Sequence, residues 1–227
     1  MSDPSRDGTV TEDDTNATAS WPWRSSSGQV GTGDPLDPSF YGRPAEDVAP
    51  DLLGTFLVSD LGGARTSGVI VEAEAYVGPR DPASHARESV GRTARNESMF
   101  GAPGIAYVYR SYGIHWCLNV VSGAVDHPVA VLIRALDPVE GREIMEERRG
   151  RATDLCSGPG RLTQALGVTG IQDGHDLSKE PLVLRAGWSV PEDRIGVSGR
   201  IGIRNAEDWP LRFYLRNHPS VSRRPFR

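Results

Sequence analysis

The run Val69-Ile-Val-Glu-Ala-Glu-Ala-Tyr-Val-Gly-Pro79 constrains this chain more than any other. It is an apolar, strand-like stretch that carries two carboxylates and closes in a Gly-Pro turn. Side chains alternate along a strand with period two, so Glu72, Glu74 and Tyr76 are expected on one face, opposite Val71, Ala73 and Ala75. Acidic residues are poor strand formers and costly to bury without a partner. Either this face is solvated, as half-exposed antiparallel strands commonly are, or the two acids belong to a site.

At 227 residues the chain suits one domain of about 190 residues plus a tail. Residues 1–36 are rich in Ser, Thr, Asp, Gly and Asn without apolar periodicity and are expected to form a disordered acidic tail. Trp21-Pro22-Trp23 is the one sticky spot there, read as a weak docking element or as incidental. Residues 37–222 are expected to form the functional domain and 223–227 a C-terminal extension. No basic start with an apolar segment reads as a secretory signal, and no run reaches the roughly 18 apolar residues of a membrane span. The expectation is a cytoplasmic protein with no membrane partner.

The net charge of −5 argues at first against nucleic acid, but residues 1–40 hold seven acidic against two basic side chains. The remainder carries 23 of each sign and is neutral, and a neutral domain still binds DNA if its arginines share a face. Lys179 is the single lysine. Cys117 and Cys156 lack CxxC spacing and paired histidines, so reduced thiols, no metal and no cofactor are expected, with Cys117 a small core residue.

Residues 45–53 show helical spacing closed by Gly54. Residues 55–60 and 68–76 read as strands, and 78–104 as a long loop of the kind that usually carries function. Residues 105–110 and 114–121 form a predicted hairpin with Tyr112 at its tip, and 129–136 a further strand carrying Arg134. Asp137, Pro138 and Glu140 resemble an N-cap, an N1 proline and a capping-box acid, predicting a helix from there to Arg149. Ser157-Gly-Pro-Gly160 opens a short helix; its entrance either presents N–H groups to a phosphate or is an ordinary helix start. Residues 200–203 and 211–215 supply two more short strands. Strands outnumber helices without βαβ alternation, so the fold class is α+β: a single domain with a curved antiparallel sheet, short surrounding helices and a protruding hairpin.

Glu72-Ala-Glu-Ala-Tyr76, the downstream His85, Tyr107-Val-Tyr109-x-x-Tyr112-Gly, Asn119, Val131-Leu-Ile-Arg-Ala-Leu-Asp-Pro138 and Leu155-Cys-Ser-Gly-Pro159 share order and spacing. Together they resemble the alkyladenine (3-methyladenine) DNA glycosylases from about Phe40 to Ser222. The resemblance implies a monofunctional DNA glycosylase that excises alkylated and deaminated purines of the 3-methyladenine, 7-methylguanine and hypoxanthine class and leaves an abasic site. It implies double-stranded DNA with damaged purines as partner, a monomer, and a place with the nucleoid.

Role by role, the resemblance makes Glu74 the base that activates water, with Arg134 holding that water or a phosphate and keeping Glu74 ionised. The Ile201 backbone carbonyl is a further water contact. Tyr76, His85 and Tyr109 sandwich the flipped base, Asn119 crowds the guanine amine, and Tyr112 fills the gap in the helix. Glu72 either orients a neighbour or is a structural acceptor. Arg92, Arg95 and Arg110 are candidate phosphate contacts. His218 departs from the family pattern and is expected at the surface. The rival readings are a non-catalytic lesion- or nucleic-acid-binding module resembling the C-terminal domain of formyltransferases, and a hydrolase of free nucleosides.

Overall fold

The computed structural model describes residues 21–25 and 31–222. Eight antiparallel strands form one sheet: β1 Phe56–Ser59, β2 Thr66–Tyr76, β3 Ala106–Ser111, β4 His115–Ser122, β5 Val129–Glu140, β6 Leu182–Arg185, β7 Ile195–Ser198 and β8 Arg212–Leu215. Five short helices pack around it: α1 Pro22–Ser25, α2 Pro38–Tyr41, α3 Ala45–Asp51, α4 Arg142–Arg149 and α5 Pro159–Leu166. The architecture is the expected α+β fold.

The strand order β3-β4-β5-β2-β1-β6 places β2 and β5 at the centre. β5 runs along one edge of β2, while the other edge is shared, first by β1 and then by β8 opposite Glu72, Ala73 and Glu74. All of β2 except Tyr76 is buried, so the acids do not line a solvated face. Val71, Ala73 and Ala75 join the core, as the alternation predicts. The β2/β5 ladder is irregular at this point: Val71 and Arg134 have no opposite partner in the register. Bulges of this kind re-aim side chains and cluster beside active sites, and this one turns Arg134 toward the two glutamates.

The helix expected from Asp137 starts later. β5 continues through Asp137 and Pro138, opposite Val69 and Gly68, and α4 begins at Arg142 after Gly141, whose φ of 70° lies in the left-handed region. Asp137 is thus no cap. Its carboxylate accepts bonds from Trp23 Nε1 and Arg24 Nε (2.9 Å each) and Ser220 Oγ (3.0 Å), with His218 Nε2 at 3.4 Å. Burial would raise this carboxyl, but His218, Arg24 and Trp23 hold it well below the ordinary carboxylate range.

The expected disorder of residues 1–36 is corrected where the chain is described. Trp21 and Trp23 are buried, stacked with centroids 5.2 Å apart, and Trp21 lies 5.1 Å from the His218 ring. Leu36 N donates to Leu184 O, and Pro35 bridges to Arg185 at the sheet edge. Residues 1–20 and 26–30, like the extension at 223–227, lie outside the described residues. His218 is corrected as well: it is buried as the floor beneath the two indoles rather than exposed. A wide aromatic surface needs burial to repay its ordering, and these rings find it against each other and His218.

Residues 200–203 are not a strand; they form a bend with Gly202 at φ 80°, and β7 lies just before them. Ile201 N and the Arg200 guanidinium turn inward to Glu74, Asp81 and Ala75 O. A backbone N–H pointed at a side-chain carboxylate cannot also serve a sheet ladder.

Candidate active site

A cavity of about 590 Å³ opens between the central strands, the 78–104 loop and the bend at Ile201. Its walls include Tyr76, His85, Tyr109, Tyr112, Asn119, Arg134 and Ile201, so seven of the residues singled out in the sequence converge on one space. Glu74 lies immediately behind them, fully buried.

Glu74 Oε1 accepts the Ile201 N–H at 2.7 Å, and Oε2 accepts the Tyr76 hydroxyl at 3.1 Å and Arg134 Nη1 at 3.3 Å. The same Nη1 donates to the Ile201 carbonyl at 3.3 Å, which closes a ring of Glu74, Arg134 and Ile201 at the cavity wall. Burial pushes the Glu74 carboxyl above its ordinary value of 4.5; Arg134, the Ile201 N–H and Tyr76 pull it back without cancelling the rise. Arg134 therefore acts in the expected direction, but desolvation outweighs it.

Glu72 is held differently. It accepts Arg134 Nε at 3.1 Å, Arg212 Nε at 2.6 Å, Ser222 Oγ at 2.8 Å and Ser222 N at 2.7 Å. The geometry fits both alternatives open for Glu72: it holds Arg134 and it accepts bonds from Arg212 and Ser222. Arg212 and Ser222 were not singled out in the sequence, and neither carries a local signal: each sits more than a hundred residues from its partner.

The aromatic wall comes from three elements, with Tyr76 at the end of β2. Tyr109 stands on β3, and His85 on the loop after β2, their rings edge-to-face with centroids 4.3 Å apart. His85 Nδ1 lies 2.8 Å from the hydroxyl of buried Tyr107, a residue quoted in the motif but given no role. The Tyr107 carbonyl in turn accepts Asn119 Nδ2 at 2.9 Å, fixing which way that amide faces. Burial, then Arg95 and Arg87, bring His85 down to about 4, so the ring is neutral at pH 7. Burial pushes up the thiol of Cys117, also on the wall, which disfavours its nucleophilic thiolate form.

Tyr112 projects from the hairpin tip with 84% of its surface exposed. It and Gly113 have φ of 49° and 69°, the paired left-handed conformations of a tight hairpin turn; Gly113 meets that demand without strain, and Tyr112 does not. Residues held in costly backbone conformations cluster at functional sites, which makes Tyr112 a candidate.

The candidate phosphate contacts separate. Arg92 is ion-paired with Glu97 at 2.6 Å and Asp126 at 2.9 Å, so its charge is already matched. Arg95 donates to the Arg110 carbonyl and lines the cavity; Arg110 lies over the Trp116 ring at 5.7 Å. Among the described residues, neither Arg95 nor Arg110 has an ion pair. Gly158 caps α5 at the cavity rim beside Pro159. No group of three His, Cys, Asp or Glu able to hold a metal is present among the described residues.

The family model of methylpurine-DNA glycosylases matches residues 39–219. A Rhodopseudomonas palustris protein, by name a "Putative 3-methyladenine DNA glycosylase", is 49% identical over 86% of this chain and 93% of its own length. Proteins of the same name from Carboxydothermus hydrogenoformans and Granulibacter bethesdensis are 47% and 52% identical, over 83% and 81% of this chain and 99% and 85% of theirs.

Proposed function

This chain belongs to the methylpurine-DNA glycosylase family and is a DNA N-glycosylase of alkylation repair, and from that premise we propose that it flips damaged purines into its cavity and releases them with a Glu74-activated water. Its substrates are 3-methyladenine, 7-methylguanine and hypoxanthine in duplex DNA, its product is an abasic site, and it works as a cytoplasmic monomer on the nucleoid.

The observation that carries this reading is the closed ring of Glu74, Arg134 and Ile201 against an aromatic cavity. A water seated between the Glu74 carboxylate and the Ile201 carbonyl has an acceptor for the proton it loses and a second acceptor for its other O–H, which leaves its lone pairs free to face the sugar. A general base works best with a pKa drawn toward the working pH, and burial raises Glu74 in that direction. As the glycosidic bond lengthens, the same carboxylate faces the cationic character that develops on the sugar.

The remaining residues serve access and selection. A base in a duplex is out of reach until it leaves the stack, at a cost of a few kcal/mol; Tyr112 on its hairpin is placed to fill the gap. Tyr76, Tyr109 and neutral His85 offer ring faces to a purine, and cationic 3- or 7-alkylpurines gain cation–π attraction there. The Asn119 amide, held by Tyr107, crowds the exocyclic amine of guanine, a cost that the cationic ring of 7-methylguanine offsets and that of ordinary guanine does not. Strand cleavage would need an amine to attack the sugar; Lys179 is paired with Asp176 at 2.8 Å and does not line the cavity, which favours water as sole nucleophile.

The test is single-turnover base release from duplexes with one 7-methylguanine or hypoxanthine, followed by alkaline strand cleavage. Wild type should release both bases, the cationic one faster, and Glu74→Gln should bind the lesion duplex without releasing either. Tight lesion binding with no release by wild type would overturn the reading in favour of a lesion binder.

A further inference from the structure

Behind Tyr76 lies a charged pair that the chemistry above does not use. Asp81 and Arg200 are both sealed from solvent. Arg200 Nη2 donates to Asp81 Oδ1 at 2.8 Å, and Nη1 donates to Asp81 Oδ2 and, at 3.1 Å, to the Ala75 carbonyl. The guanidinium carbon sits 4.7 Å from the centroid of the Tyr76 ring. Tyr76 lines the cavity; Arg200 and Asp81 do not. The ring is therefore a partition with the base cavity on one side and a guanidinium behind it.

The pair also reaches the neighbouring walls. Asp81 accepts the N–H groups of Val77 at 3.3 Å and Ala83 at 2.9 Å, bracing the turn that leads to His85. Arg200 directly precedes Ile201, whose N–H meets Glu74. Yet bracing alone is a poor reason for these residue types. A buried ion pair is often no better for stability than apolar side chains of the same volume, and among the described residues Arg200 Nε is buried without a hydrogen-bond partner. A mere backstop for an aromatic ring would be cheaper as a leucine.

What an arginine supplies and a leucine does not is positive charge on the ring. An aromatic face attracts a cation through the negative lobe of its quadrupole. A guanidinium already seated on the far face repels a second cation on the near face and draws ring electron density away from it. Stacking of a neutral purine rests on area and dispersion and is little affected.

We propose that the Asp81–Arg200 pair sets lesion selectivity through Tyr76, weakening the cavity's preference for cationic purines and so widening its range toward neutral ones such as hypoxanthine. Arg200 is a positioning residue here, since Tyr76 alone meets the base. This inference rests on the glycosylase reading above.

The experiment measures single-turnover release of 7-methylguanine and of hypoxanthine from otherwise identical duplexes and follows the ratio of the two rates. Asp81→Asn/Arg200→Gln removes both charges and keeps hydrogen-bonding groups; it should raise the cationic-to-neutral ratio about threefold to tenfold. Asp81→Asn alone leaves the guanidinium unneutralised and should lower the ratio. Opposite movement by the two variants is a signature that a structural role would not give. Each variant is first shown by its Tm to be folded at the assay temperature, and the double variant keeps the ratio readable if the single one is not. Equal loss of both rates with an unchanged ratio would reduce the pair to a brace and overturn the proposal, as would a double variant whose ratio falls. Absence of release by wild type would instead overturn the glycosylase reading itself.

Discussion

Glu72 and Glu74 stand two residues apart on β2, equally sealed from solvent, in surroundings of opposite kind. Glu72 is held by Arg134, Arg212 and both donors of Ser222, with contacts from 2.6 to 3.1 Å. Glu74 has one short donor, the Ile201 N–H; its bonds to Tyr76 and Arg134 are 3.1 and 3.3 Å, and it backs onto a cavity. A carboxylate gripped by several fixed donors is held as an anchor. One with fewer donors that backs onto a cavity is placed to meet a water there. Arg134 belongs to both, its Nε to Glu72 and its Nη1 to Glu74, so the anchored acid fixes the guanidinium that the other one shares.

The comparison breaks first on rate. Glu74→Gln should lower single-turnover base release by about 10²- to 10⁴-fold, the usual worth of a general base, while leaving the unfolding midpoint nearly unchanged. If release survives, Glu74 is not the base. Glu72→Gln should do the reverse: denaturant titration should show a loss of about 3 kcal/mol, because Arg134 and Arg212 then share an incompletely compensated buried charge. A stable Glu72→Gln with the catalytic loss of Glu74→Gln would exchange the two roles.

Acidity should separate the pair further. Glu74 must be ionised to act, and burial has lifted it above 4.5. Release should therefore begin to fail at a higher pH than for an ordinary glutamate and drop about tenfold per unit beyond it, as for loss of a single ionised base. A rate flat down to the ordinary carboxylate range would show that Glu74 is not lifted. The smallest effect is expected from Tyr76→Phe. Losing the hydroxyl removes one donor to the ionised form, so the acid limb should move up, with less than about a tenfold change near neutrality, as for one hydrogen bond to a charged acceptor. A limb that moves down would mean the hydroxyl does not favour the carboxylate.

Much of the site was legible in the sequence because its members lie on strands at fixed spacing. Period two placed Glu72, Glu74 and Tyr76 together, and the hairpin signal put Tyr112 at a tip. The errors share a cause. Asp137 and Pro138 carried a helix-start pattern, yet pairing opposite Val69 and Gly68 continued the strand, since ladder bonds and burial outweigh a cap worth about 1 kcal/mol. Residues 200–203 looked like a strand by composition but gave their donors to Glu74, Asp81 and Ala75 O. Trp21 and Trp23, in a stretch polar enough to read as disordered, are held by Asp137, 114 positions away from Trp23, and by His218.

By itself, then, the sequence determined what depends on near neighbours: the alternation of β2, the aromatic positions of the hairpin, the single lysine, and the order of motifs that marks the family. Apart from Arg134 and Glu74, whose meeting the family resemblance implied, tertiary structure alone decided which buried charges meet. Arg212 and Ser222 reach Glu72 across 140 and 150 positions, and Arg200 reaches Asp81 across 119. The reason is physical. Local propensity acts within a few residues, whereas the pairing of a buried charge is settled by whichever opposite charge the packed strands bring within hydrogen-bond distance, and no local pattern encodes that.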